Sequence, residues 1–179
     1  MEEKMVKILK RQESSDDCFV CGIKNPIGFN SHFYETEDGE LICLAESKFD
    51  YQSYPGRLHG GIAATLLDET MGRAILINNP GVWGVTVDME MKYKKPVPLN
   101  CTLRIIGRIE VDRHLFTASG EVLLEDGTVA VTAKAKYMKM PVNKIAEGVE
   151  PGTEILYLSE TEREVDSISR EGPLKVVYK

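Results

Sequence analysis

A histidine followed by two glycines, His59-Gly60-Gly61, stands directly before a long apolar stretch, and two carboxylates, Asp68 and Glu69, lie inside it. Paired glycines leave backbone N–H groups uncovered, and the first-turn N–H groups of a helix have no intrahelical partner. The helix dipole adds partial positive charge there. Such a place suits the negative oxygen that develops when a carbonyl is attacked. A tight turn into a helix would equally call for Gly-Gly, and spacing alone leaves both readings open. His59 is open in the same way, as a group that orients a substrate or as a cap.

The spacing separates the two carboxylates. Glu69 has Arg73 four residues on, an ion pair in the favoured orientation, and reads as structural. Asp68 has Ala64, Thr65, Met71 and Gly72 as its three- and four-residue neighbours, with no opposite charge among them. A carboxylate among small residues on a mostly buried helix needs water or a ligand to meet it, which makes Asp68 the candidate base or nucleophile. Gly60 and Asp68 are eight residues apart, about 12 Å along a helix, too far to serve one carbonyl. If both act, Gly60 of one protomer must meet Asp68 of another, with two sites at a twofold interface.

Cys18 and Cys21 form a C-x-x-C, but no second pair of Cys or His completes a zinc set, so the thiols read as packed in a turn and no metal is assigned. His32 and His114 have no triad-like partner. Nucleophile elbow, P-loop and dinucleotide fingerprint are all missing, and no cofactor is implied.

The elements that must position these residues follow from periodicity. Gly28 to Lys48 holds two extended runs around Glu37-Asp38-Gly39-Glu40, a hairpin. Residues 59 to 78 form the long helix, with Ile62, Ala63, Leu66, Leu67, Met71 and Ile75 among apolar residues that cover nearly its whole circumference. Asn78-Asn79-Pro80-Gly81 stops it. Four alternating runs follow as a meander, the first placing Val85, Val87, Met89, Met91 and Tyr93 inward and Thr86 outward. About six strands and one helix can bury each other only if the antiparallel sheet curls around the helix, an α+β fold. Residues 1–17 read as an N-terminal tail or short helix, 18–140 as the domain, and 141–179 as an acidic appendage.

The 179 residues are 42% hydrophobic, enough for one real core. A net charge of -6 and a pI near 5.2 leave no basic footprint for nucleic acid. No apolar run is long enough to cross a bilayer, and the first residues lack a secretory pattern, so a cytoplasmic protein without a membrane partner is expected.

Leu58-His59-Gly60-Gly61 followed by Leu67-Asp68 resembles the hot-dog fold acyl-CoA thioesterases whose motif reads His-Gly-Gly with Asp nine residues after the His, the phenylacetyl-CoA thioesterase-like branch. Gly84-Val85-Thr86-Val87-Asp88-Met89 through Tyr93 and Pro96, and the opening Cys18-Phe19-Val20-Cys21-Gly22 with Asn25-Pro26-Ile27-Gly28, are similar to the same family, so the resemblance covers about residues 18 to 140. It implies a hot-dog fold with a central helix, assembled as a homodimer or a dimer of dimers, and hydrolysis of an acyl-CoA substrate to a free acid and CoA. By position, Gly60 would polarise the thioester carbonyl, His59 would help place it, and Asp68 of the partner chain would activate water or attack directly. A hydroxyl at Thr86, beside that Asp68, would hold the water; turned outward by alternation, it could do so only across the dimer interface or through a bulge. Gly61 joins the substrate-binding set with Ser53, which falls where the family carries Asn or Gln. CoA is polyanionic, so an acidic protein needs a local basic rim: Lys92, Lys94 and Lys95, with Arg104 or Arg108, are the candidates. The competing reading is a non-catalytic acyl-CoA-binding hot-dog module with a regulatory role, against which an unpaired Asp68 argues; a hot-dog hydratase would want a motif that is not found.

Overall fold

The computed structural model describes residues 3–148 and 163–179. Among these, one α-helix, α1 (Gly60–Arg73), lies across an antiparallel sheet and continues as a 3₁₀ turn over Ala74–Ile77. The strands are β1 (Lys4–Arg11), β2 (His32–Thr36), β3 (Leu41–Glu46), β4 (Val82–Tyr93), β5 (Thr102–Val111), β6 (Leu115–Leu123), β7 (Val129–Pro141), β8 (Val165–Glu171) and β9 (Val176–Tyr178). Their order across the sheet is β4-β7-β6-β5-β3-β2-β1-β8-β9. The class is the expected α+β hot-dog arrangement, one long helix against a large antiparallel sheet.

Alternation puts Leu41, Cys43, Leu103, Ile105, Phe116 and Val131 into one core with Ala63, Leu66, Leu67 and Met71 of the helix. The helix lies against bare backbone at one place. Gly107 of β5 and Gly120 of β6 are paired across the sheet. A Cβ on Gly107 would stand 2.9 Å from the Thr70 carbonyl oxygen, and one on Gly120 the same distance from Met71 Cγ. Only glycine at both positions lets α1 come this close.

Four expectations need correction. The described sheet has nine strands rather than about six. Lys4–Arg11, read as tail or short helix, is strand β1, with Val6 and Ile8 buried; a register shift after Ile8 cuts its alternation to two positions. Within the segment read as an appendage, β8 and β9 join the sheet through β1; a register shift after Val165 again breaks the alternation, and residues 149–162 lie outside the described ones. Finally, the last four strands of the sequence reading are not a simple meander, because β4 pairs with β7 while β5 pairs with β3. The link from Lys94 to Cys101 is too long for a tight hairpin, and Pro96 and Pro98 supply no N–H to a ladder.

β1 and β8 contribute Val6, Ile8, Val165 and Ile168 to a second core with Ile42, Ile106 and Leu123, on the face of β3, β5 and β6 turned away from α1. This cover removes Arg104 and Arg108 from any basic rim. Arg104 is fully buried and donates to the Ser169 hydroxyl (2.6 Å) and the Gly172 carbonyl (3.0 Å). Arg108 and Arg170 alternate with Glu40 and Glu121 in a closed ring of ion pairs at 2.6 to 3.0 Å. Burial alone would raise the Glu40 carboxyl, but hydrogen bonds from Arg170 and Arg108 outweigh it and hold Glu40 below the usual carboxylate range.

A depressed pKa means stabilisation present above the ordinary carboxylate value and lost as pH falls through the depressed one. Glu40→Gln is expected to cost about 1–3 kcal/mol at neutral pH. In thermal unfolding, the gap in Tm between variant and wild type should shrink toward acid pH; a gap independent of pH would contradict the ring's role.

Candidate active site

α1 begins with a histidine cap. His59 is in an extended conformation, and its Nδ1 accepts the Gly61 N–H at 2.9 Å. With Nδ1 accepting, the ring's N–H is on Nε2, which points exposed His59 as an N–H donor toward solvent. A Cβ on Gly61 would stand 3.0 Å from that Nδ1, so the missing side chain lets the ring fold back. The Ile62 and Ala63 N–H groups reach the His59 carbonyl. Gly61 is therefore spent on the cap, whereas the Gly60 N–H has no hydrogen-bond partner among the described residues. The Tyr93 hydroxyl donates to the Gly60 carbonyl at 2.9 Å, fixing the end of β4 beside the helix start.

Two clefts open there. One, about 380 Å³, is lined by Ser53, Tyr54, Arg57, Gly60, Lys94 and Lys95 among others. The second, about 550 Å³, has Phe19, Ile27, Tyr51 and Ile62 as apolar wall, with His59 and Gly61 at its edge. The structure thus gathers Gly60, Ser53, Lys94 and Lys95 at one cleft and His59 and Gly61 at the other. Lys92 joins neither: it sits 3.7 Å from Glu90, two residues back along β4. Arg57, which the sequence reading passed over, adds a third cation beside Gly60; its place in a loop of turn residues offered no periodic signal.

Asp68 lies two turns further along α1 and is half-buried. Thr86 donates to its Oδ1 at 2.9 Å, and the Tyr137 hydroxyl is shared between the same oxygen (3.2 Å) and the Asp68 carbonyl oxygen (3.1 Å). The expectation that Thr86 faces away from the helix fails for a local reason. Pairing along β4 steps from Thr86 opposite Tyr137 to Asp88 opposite Lys136, a bulge that leaves Val87 unpaired and 54% exposed. Thr86 and Met89 therefore share the helix-facing side, and the Thr86–Asp68 bond forms within one chain. In the sequence the sole signal for Tyr137 is a phenol closing an alternating run of Val and Ala. Burial, then the charge of Asp68, pushes the Tyr137 phenol up, so it stays protonated as a donor. Asp68 Oδ2 has no hydrogen-bond partner among the described residues.

Glu69 points elsewhere. It pairs with Arg73 at 3.5 Å, as its spacing implied, and burial pushes its carboxyl up despite that cation. Its neighbours in space are Cys18 and Cys21, from the loop before β2.

The thioesterase superfamily model matches residues 55–131, from the loop before His59 to β7. Acyl-coenzyme A thioesterase 13 of Mus musculus is 33% identical over 100 residues, which are 56% of this chain and 71% of that protein. Acyl-coenzyme A thioesterase THEM4 of Rattus norvegicus is 26% identical over 138 residues, 75% of this chain; the chain spans 59% of that relative's length. The crystal structure of another thioesterase superfamily protein superposes with a TM-score of 0.63 at 28% identity, over 69% of this chain and 60% of that one. That of smu.793 from Streptococcus mutans UA159, bound to acetyl CoA, gives 0.53 at 26%, over 57% and 82%. This chain belongs to the thioesterase superfamily.

Proposed function

We propose that the chain hydrolyses an acyl-CoA thioester to a carboxylic acid and CoA, as a homodimer or dimer of dimers whose sites each draw on two chains. The observation that carries this reading is the Asp68 carboxylate, with one oxygen held by Thr86 and Tyr137 and the other open. The names of the relatives, and the acetyl CoA bound to the Streptococcus mutans neighbour, support the substrate class.

The geometry of β4 supports the twofold. Among the described residues this twelve-residue strand is one edge of the sheet, with one side of its ladder unpaired. Its two ends mark the two halves of the site, Thr86 beside Asp68 and Tyr93 beside Gly60. Antiparallel pairing of β4 with its own copy lays the Tyr93 end of one chain along the Thr86 end of the other. That arrangement brings Gly60 of one protomer toward Asp68 of its partner and closes the gap of about 12 Å within a chain.

In the assembled site the Gly60 N–H, at the positive end of α1, donates to the thioester oxygen as it gains charge. His59 supplies a further N–H from Nε2 to place the carbonyl. Asp68 Oδ2 takes a proton from water, whose oxygen attacks the carbonyl carbon; the C–S bond breaks and the CoA sulfur leaves with a proton. Thr86 and Tyr137 keep Oδ1 occupied and the carboxylate in one orientation. Arg57, Lys94 and Lys95 lie where they can meet the CoA phosphates, and the apolar cleft with Phe19 and Ile27 takes the acyl group.

Thiol release from a panel of acyl-CoA esters tests the whole reading. Asp68→Asn should lower kcat by about two orders of magnitude or more. No release from any ester by the wild-type protein, with CoA still bound, would leave only a binding module. A single turnover in ¹⁸O-water should put the label in the acid product and none in the protein; label on Asp68 would mean direct attack and an anhydride. Replacing Arg57 and Lys94 together by Gln should raise KM for the CoA ester at least about tenfold and flatten its salt dependence, with kcat nearly unchanged.

A further inference from the structure

Away from Asp68, three donor atoms converge where the loop before β2 meets the outer side of α1. Cys18 Sγ, Cys21 Sγ and a Glu69 carboxylate oxygen lie within 4.8 Å of one another. Cys-x-x-Cys is the spacing by which one turn presents two sulfurs to a tetrahedral ion. Here the turn is closed by the Gly22 N–H on the Cys18 carbonyl at 2.8 Å, and a Cβ on Gly22 would lie 2.2 Å from that oxygen. Both sulfurs have outer partners: the Val20 N–H donates to Cys18 Sγ at 3.3 Å, and the Ser15 hydroxyl meets Cys21 Sγ at 3.6 Å. Contacts of this kind orient metal-binding thiolates and spread their charge.

The charges around the cluster balance if a divalent cation is added. Two thiolates and one carboxylate bring three negative charges, and a divalent ion with Arg73 brings three positive ones. Arg73 is only 3% exposed and is held in place by Gln12 Oε1 at 3.1 Å and by the Phe33 ring, 4.5 Å from its guanidinium carbon. Its Nη1 lies 3.5 Å from Glu69 Oε1, so it can steady the carboxylate in the way that outer partners steady metal ligands. Two sulfurs and one oxygen select a borderline-soft ion over magnesium or calcium, which ask for oxygen alone.

We propose that Cys18, Cys21 and Glu69 bind one zinc ion, with water as the fourth ligand. The sequence reading assigned no metal because the third ligand is 48 residues away in the chain and only the fold delivers it. Both cysteines bind as thiolates, any proton they carry is released to solvent, and no oxidation state changes. The ion fastens the Cys18–Gly22 turn to the helix residue next to Asp68. Phe19 stands between the two ligands and packs on Phe29 and Tyr51 at 5.5 and 6.3 Å between centroids, so the same fastening sets the wall of the larger cleft. None of this rests on the hydrolase reading.

The test uses the full chain, purified with reductant, stripped of metal and titrated with cobalt(II). Expected are one equivalent bound, a thiolate-to-cobalt charge-transfer band in the near ultraviolet and the intense visible bands of tetrahedral coordination, all displaced by zinc. Cys18→Ser and Cys21→Ser should each weaken the charge-transfer band and binding, and Glu69→Gln should weaken zinc at least about tenfold with the thiolate band retained. Chelation should lower the Tm of the zinc-loaded protein. A wild-type protein that gives no charge-transfer band at saturating cobalt overturns the site, whether its thiols stay free or its mass shows them joined as a disulfide. Zinc affinity unchanged in Glu69→Gln overturns the ligand set. The wild-type spectrum decides even if every variant fails to fold.

Discussion

Contact between the helix and bare sheet backbone governs the rest of this molecule. Gly107 and Gly120 offer no side chains, so the Thr70–Met71 turn of α1 sits directly on β5 and β6. A helix held there has little freedom to slide or roll, since neighbouring side chains on both sides are close-packed. Its remaining contacts are then set by register. Asp68 comes to Thr86 and Tyr137 on the β4 and β7 side, and Glu69, one residue on, comes to the cysteine turn on the other. The two adjacent carboxylates differ in chemistry because one fixed helix shows them to different walls.

Much of this was legible in the sequence, where periodicity is clean. The apolar circumference of residues 60 to 75 identified a helix that must be wrapped, and the capping residues His59 to Gly61 marked its start. What escaped were the places where period is interrupted. β1 and β8 each carry a register shift and bury only two strongly apolar positions, so a search for alternation finds little. The bulge after Thr86 is the same failure with a larger consequence, because one extra residue reverses which side chains meet the helix. Strict alternation turned Thr86 outward; the fold turns it onto Asp68.

Partners distant in sequence were beyond a reading of local spacing. Tyr137 reaches Asp68 across 69 residues, and its type in a strand of Val and Ala was the only sign that a polar atom was needed there. Arg104 and Arg108, candidates for the basic rim, lie instead on the covered face of the sheet turned away from the helix. Polarity at alternate positions says which face a residue occupies, and nothing of what covers that face. Here β8 covers it, and the arginines become internal ties.

The same distinction sorts the cations that an acidic protein can offer to a phosphate-rich ligand. Arg108 and Arg170 are neutralised by Glu40 and Glu121, and Arg73 by Glu69. Among the described residues, Arg57, Lys94 and Lys95 enter no ion pair, and they stand together at the cleft containing the open Gly60 N–H. A net charge of -6 sets the potential at long range, where salt screens it within about 8–10 Å. Within that distance of the cleft, these three cations and the positive end of α1 set the local potential. An anionic group approaching this cleft thus meets local positive charge on a molecule whose net charge is negative.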